Sequence, residues 1–194
     1  MATTNKTKTI TGLALFTAII VVLQMVATFI KFGPFSVTLV MVPIVVGAAI
    51  YGVKGGAYLG GAFGVVVAIA CVAGWDIGGN MLWNVRPFVT LALCIAKGAL
   101  AGLAAGGVYK LFAKKNITVA TVLAAIAGPL VNTGTFCLAM AFLFHDTLVA
   151  WAGGTSVIYY TLTGLVGINF LLELGINIIV SPVIVRIIKA KKSI

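Results

Sequence analysis

Two glycine-rich stretches, "GAYLGGAFG" at residues 56–64 and "GALAGLAAG" at residues 98–106, decide how this chain folds. Each carries a glycine at every fourth position: Gly56, Gly60 and Gly64 in the first, and Gly98, Gly102 and Gly106 in the second. Residues four apart lie on one face of a helix. A face of glycines lets two backbones approach closely, which is how helices associate inside a bilayer. The pattern predicts two tightly packed membrane helices.

The sequence around these stretches is apolar enough to fill a membrane. Of its 194 residues, 62% are hydrophobic and only 8% are charged. Because about 20 apolar residues in a helix cross the hydrocarbon core, we predict an all-α membrane protein, a single integral domain over residues 1–194. Its six transmembrane helices are expected at 10–30, 37–52, 55–74, 87–112, 118–144 and 159–187. Pro43 predicts a kink or break in the second helix, and no cleavable signal peptide is expected before the first.

The basic residues predict the orientation of this bundle. If the helices alternate in direction, most lysines and arginines fall on one side, namely Lys6, Lys8, Lys54, Lys110, Lys114, Lys115, Arg186, Lys189, Lys191 and Lys192. Lys31 and Arg86 fall on the other side. Positive charge accumulates on the cytoplasmic side of membrane proteins, so both termini are predicted to be cytoplasmic. These lysines adjoin helix ends and form no continuous face, so we expect no nucleic-acid partner.

Charged and amide side chains also occur inside the predicted spans. Lys97 lies about ten residues into the fourth helix, and Glu173 is about as deep in the sixth. Because an unpaired charge in the bilayer is costly, we predict a structural ion pair between them. Asn132, after Pro129 in the fifth helix, and Asn169, on the same face as Glu173, are polar neighbours. The alternative is that these residues form the floor of a solute-binding cavity.

Catalytic chemistry has little support in this sequence. The acidic residues are Asp76, Asp146 and Glu173, and the one histidine is His145. No phosphate-binding Gly-x-x-x-x-Gly-Lys-Ser/Thr loop is present, so we expect no ATPase activity in this chain. Cys71, Cys94 and Cys137 match no metal or redox spacing and are predicted to be buried small side chains. We therefore predict that the protein is not an enzyme and has neither cofactor nor metal.

The order of motifs resembles the substrate-binding (S) components of energy-coupling-factor (ECF) vitamin transporters. The resemblance rests on Ala14 and Ala18 in helix one and on three quoted stretches: "KFGPFSVTLVMVPIVVGAAIYGVKGGAYLG" at 31–60, "KGALAGLAAGGVYKLFAKK" at 97–115 and "GPLVNTGTF" at 128–136. It implies a multi-pass protein of a bacterial plasma membrane that binds a vitamin from outside. Its implied partners are a transmembrane coupling subunit, docking at Ala14 and Ala18, and two cytoplasmic ATPases.

The resemblance also implies a ligand site near the outer face, capped by the loops at 31–36, 75–86 and 145–158. The predicted substrate-binding residues are Arg86, Asn84, Asn80, Trp83, Trp75, Asn132, Asn169 and Tyr160. Arg86, with Asn80 and Asn84, could clamp a carboxylate, because a guanidinium binds one bidentately. The alternative for Arg86 is snorkelling to lipid headgroups, and for Trp75 and Trp83 an interfacial belt.

A single arginine fits a small acid such as pantothenate, although folate, pyridoxine-type vitamins, thiamin precursors and cobalamin remain open. Two other classes of function also remain open. One is a stand-alone secondary transporter that uses Glu173 as a proton site, and the other is a structural or assembly protein without a ligand. Inverted repeats would favour the secondary transporter, but helices one to three show no convincing similarity to helices four to six.

Overall fold

The computed structural model of the protein describes residues 2–29 and 39–192, with side chains for 6–28, 39–167 and 170–190. Within these ranges the chain forms helices joined by short turns. They are α1 (Ala2–Phe29), α2 (Met41–Val72), α3 (Ile77–Val85), α4 (Pro87–Phe112), α5 (Ile117–Leu143), α6 (His145–Ala152), α7 (Val157–Tyr160), a π-helical segment (Thr161–Val166) and α8 (Gly167–Lys192).

Five helical segments in the described ranges are long and apolar enough to cross a membrane: Lys6–Thr28, Met41–Val72, Pro87–Phe112, Ile117–Leu143 and Phe170–Ala190. The sequence predicts six, and the difference lies in α2, which covers both the second and the third predicted helix. The fourth predicted helix, 87–112, coincides with α4, where Pro87 occupies the first turn. Proline is favoured there because its missing N–H has no helical partner to lose.

The helix α2 is folded back on itself at Gly52. Gly52 has φ 77° and ψ −175°, which is outside the helical region. A Cβ added to Gly47 would overlap the side chain of Leu59, and one added to Gly56 would lie 2.7 Å from the Cβ of Ala48. In a straight helix, residues twelve apart are about 18 Å from each other. Residues 41–51 and 53–72 are therefore two arms of a hairpin that pack against one another.

The predicted kink or break at Pro43 is wrong, and the chain turns instead at Gly52, where the second predicted helix ends. The helix begins at Met41, not at 37, so Pro43 falls in the first turn, where proline is tolerated. Gly52 turns the chain because a positive φ costs glycine almost nothing. The first arm, at about 16 Å, is shorter than the ~30 Å hydrocarbon core.

The last predicted helix, 159–187, is also not continuous. Gly167 has φ 31° and ψ −150°, and it separates the π-helical segment from α8. The predicted capping loops after the third and fifth helices are themselves partly helical, since they contain α3 and α6. The loop at 31–36 lies outside the described residues.

The predicted glycine contact is confirmed where the second arm of α2 crosses α4. A Cβ added to Gly60 would overlap the carbonyl oxygen of Gly98, and one added to Gly98 would overlap that of Gly60. Gly56 and Gly102 are related in the same reciprocal way. Only glycine allows this approach, because the backbones themselves are in contact. We refer to these contacts as the glycine seam, and it fixes the relative positions of two walls of the cavity described next.

Candidate functional site

A cavity of about 100 Å³ lies at one end of the bundle. It is found where α1, α2 and α5 end and where α4 and α8 begin, and α3 lies beside it. Its apolar lining consists of Phe63, Val67, Cys71, Gly79, Leu82, Leu93, Cys94, Phe136, Leu165 and Phe170. Its polar lining consists of Gln24, Asp76, Thr90, Lys97, Asn132, Thr133 and Glu173. An apolar cavity with a few convergent polar groups is the usual form of a small-molecule site.

The short helix α3 closes one side of this cavity. Asp76 caps its N-terminus, since the carboxylate oxygen accepts a 2.7 Å hydrogen bond from the backbone N–H of Gly79. Asn80 donates to the carbonyl oxygen of Cys71 at 2.8 Å and thereby satisfies the end of α2. Asn84 in turn donates to the side-chain oxygen of Asn80 at 3.2 Å. These polar groups are used to hold α3 in place.

Lys97 brings a positive charge to the cavity wall. Its Nζ lies 5.4 Å from the ring centroid of Phe136 on α5, a distance at which an ammonium is attracted to an aromatic face. Glu173 lines the same cavity and is 6% exposed, and its Oε1 has no hydrogen-bond partner in the described part of the chain. The predicted ion pair between Lys97 and Glu173 stays a prediction, although the fold brings the two residues to one cavity.

Of the predicted substrate-binding residues, Asn132 lines the cavity, as do the residues of the predicted ion pair. Six others have described side chains and are not part of its lining, namely Trp75, Asn80, Trp83, Asn84, Arg86 and Tyr160. Arg86 is exposed where α3 meets α4, and Trp75 is 50% exposed. The side chain of Asn169 lies outside the described residues. The predicted carboxylate clamp of Arg86, Asn80 and Asn84 stays a prediction.

Sequence reasoning missed Gln24 as a lining residue. It is the only glutamine of the chain, lies within the first membrane-spanning segment, and is 3% exposed. A lone amide among apolar residues in a membrane helix is itself a signal of a functional position. Thr90 was missed as well, and its hydroxyl donates to the carbonyl oxygen of Arg86 at 3.0 Å. That bond follows from helical spacing and is not specific to a binding site.

Ala14 and Ala18, the predicted docking residues, lie on α1 away from the cavity. Both are exposed, and Leu15 between them is 62% exposed. Residues four apart lie one above the other on a helix, so the two alanines form a small-residue patch on the outer surface of the bundle. Their role in docking stays a prediction.

A comparison with protein families identifies the family of this chain. The model of a family described as the substrate-specific component of ECF transporters matches residues 8–185. The chain belongs to this family. The S component is thus a multi-pass protein of the bacterial plasma membrane with a transport function, not an enzyme, and the resemblance in the motifs is confirmed.

This S component is also similar to a curated relative. It is 29% identical over 192 residues to the "Pantothenic acid transporter PanT" of Lactococcus lactis subsp. cremoris (strain MG1363), and the alignment covers 93% of each chain. Components of this family bind vitamins and act with coupling and ATPase subunits.

Proposed function

We propose that this S component binds pantothenate, an anionic vitamin, in the cavity between α1, α2, α4, α5 and α8. The observation that carries the proposal is the cavity lining, which combines a lysine ammonium with buried polar side chains on an apolar wall. The similarity to a pantothenic acid transporter over 93% of the chain supports the same ligand. Pantothenate has a carboxylate at one end and hydroxyl groups and an amide N–H along the rest. Its carboxylate therefore matches the lysine ammonium, and its hydroxyl and amide groups match the buried polar side chains.

We assign to Lys97 the role of binding the carboxylate of the ligand. Its ammonium lies over the ring of Phe136, and among the described lining residues it is the only cation. Charge-assisted hydrogen bonds to a carboxylate are roughly twice as strong as neutral ones. The aromatic ring holds the ammonium in the cavity when the ligand is absent, without neutralising it.

We further propose that the cavity opens to the outside of the cell. It lies at the end of the bundle where α4 begins, and Lys110, Lys114 and Lys115 lie at the opposite end of that helix. The positive-inside rule places those lysines in the cytoplasm. The ligand is then passed to a transmembrane coupling subunit, which docks at Ala14 and Ala18, and two cytoplasmic ATPases supply the energy.

The decisive experiment combines mass spectrometry with calorimetry. The detergent-purified protein is first analysed for small molecules that co-purify with it, and the emptied protein is then titrated with pantothenate, folate, pyridoxine, thiamin and cobalamin. We expect pantothenate to be recovered and to bind at least a hundredfold more tightly than the others. Tight binding of another vitamin would overturn the ligand assignment.

Reconstitution separates this proposal from a proton-coupled transporter. In liposomes, the S component alone should bind pantothenate without accumulating it, whatever pH gradient is applied. Accumulation driven by a pH gradient, lost in Glu173→Gln, would favour the secondary transporter instead.

A further inference from the structure

Three residues that line the cavity each carry a buried acceptor atom without a hydrogen-bond partner in the described part of the chain. These atoms are the Oε1 of Gln24, the Oδ1 of Asn132 and the Oε1 of Glu173. The three side chains are 3%, 7% and 6% exposed. A buried acceptor without a donor costs about 1–3 kcal/mol. For these residues, which line the cavity, a donor brought by a ligand would remove that cost.

The three acceptors come from three different helices. Gln24 lies near the end of α1, Asn132 lies in α5 and Glu173 lies near the start of α8. Two other polar groups of the lining are already engaged, since the carboxylate of Asp76 accepts from Gly79 and the hydroxyl of Thr90 donates to the carbonyl of Arg86. The cavity thus presents a set of acceptors whose partners it does not itself supply.

We propose that Gln24, Asn132 and Glu173 form an acceptor cluster that binds the hydroxyl and amide N–H donors of the ligand, while Lys97 holds its carboxylate. The inference rests on the proposed function and deepens it. It defines the ligand class as an acid that carries several donors, and it excludes a plain aliphatic acid. It also makes α1 part of the ligand site through Gln24.

The ligand itself provides the first test. Calorimetric titration of the wild-type protein compares pantothenate with analogues in which each hydroxyl is replaced by hydrogen or the amide nitrogen is methylated. We expect each missing donor to weaken binding by about 3- to 10-fold at a neutral acceptor, and by about 10- to 100-fold at Glu173. This series needs no variant, so it decides even where a substitution prevents folding.

Variants then assign each donor to its acceptor. Gln24→Met, Asn132→Leu and Glu173→Leu should each weaken pantothenate binding, and the analogue that lacks the matching donor should lose nothing further in that variant. Glu173→Gln should recover part of the loss because it keeps an acceptor oxygen. Ser181→Ala is the control on the same helix, since Ser181 is buried, does not line the cavity, and its hydroxyl donates to the carbonyl oxygen of Ile178. It should change the affinity by less than about twofold.

The outcomes separate the two proposals. If the wild-type protein does not bind pantothenate, the proposed function fails and the acceptor cluster fails with it. If it binds, but the analogues and the three variants match it within twofold, the acceptor cluster is wrong while the proposed function stands. A loss that is equally large in Ser181→Ala would also overturn the cluster, because the effect would then be general to buried polar side chains.

Discussion

The ammonium of Lys97 faces the ring of Phe136 across the contact between α4 and α5, with 5.4 Å from Nζ to the ring centroid. A lysine inside a membrane protein normally finds a carboxylate or an aqueous path. Here the charge is held by an aromatic face on the wall of a cavity, and the carboxylate of Glu173 lies on the same wall. The arrangement leaves the ammonium able to bind an anion that enters.

Lys97→Met should weaken pantothenate binding by about 2–5 kcal/mol, because a buried carboxylate would lose its charged partner. Arg86→Ala, at an exposed position outside the lining, should change the affinity by less than threefold. Calorimetric titration of both purified variants provides the measurement. The reverse result, a large loss in Arg86→Ala alone, would place the carboxylate at the predicted clamp of Arg86, Asn80 and Asn84.

The glycine seam predicts that the effect of a glycine-to-alanine substitution on stability depends strongly on its position along α4. Gly98→Ala should destabilise the protein by at least about 1–3 kcal/mol, because the added methyl group overlaps the carbonyl oxygen of Gly60 and the backbones must separate. Gly107→Ala is the control on the same helix, since a Cβ there meets nothing within 4 Å. It should be neutral or slightly stabilising. Thermal unfolding in detergent compares the two, and equal melting temperatures would contradict the seam.

Ala14→Leu combined with Ala18→Leu should abolish assembly with the coupling subunit and leave pantothenate affinity unchanged. The bulky side chains remove the small-residue patch on α1, which lies away from the cavity. The control is Ala92→Leu combined with Ala96→Leu, an exposed pair with the same spacing on α4. Co-purification with the coupling subunit is the measurement, and normal yields from the α1 double variant would disprove the docking assignment.

Cys71 and Cys94 should form a disulfide when the protein is treated with diamide. Their Sγ atoms are 3.9 Å apart, and a movement of about 2 Å brings them to bonding distance. The two thiols lose two hydrogens, which the diamide gains. Mass spectrometry after alkylation should show Cys71 and Cys94 protected and Cys137 modified. Alkylation of all three after oxidation would show that α2 and α4 do not have this register.

The sequence predicted most helix bounds well, but it placed one break wrongly at Pro43 and missed another at Gly167. The bounds of α4 and the glycine contacts follow from local patterns, namely Pro87 at a helix start and glycines on one face. The turn at Gly52 coincides with the predicted end of the second helix at 52, whereas the break expected at Pro43 is absent; the packing of Gly47 on Leu59 shows that the chain reverses there. The break at Gly167 was not predicted, because it lies within a continuous apolar run that is typical of a single helix.

For the candidate site, the sequence identified Lys97, Asn132 and Glu173 as polar residues in membrane helices, and the fold brings them to one cavity. It did not indicate Gln24, although a lone amide in an apolar membrane helix is itself a signal; that this residue lines the cavity follows only from the tertiary fold. The amides of α3 were predicted to bind a ligand, but the side chain of Asn80 donates a hydrogen bond to the carbonyl oxygen of Cys71 at the end of α2. Which amides are already engaged depends on tertiary contacts.

The glycine seam also has a consequence for biosynthesis. Its contacts join α2 and α4 through residues 56–102, so both helices are synthesised before α5 and α8. Chains fold as they are synthesised, N-terminal parts first. Because glycine has no side chain, no rotamers need to be fixed when the two backbones come into contact. The α2–α4 pair is then an early scaffold. Asn132 and Glu173 join it only with the last helices, so the cavity is completed at the end of synthesis.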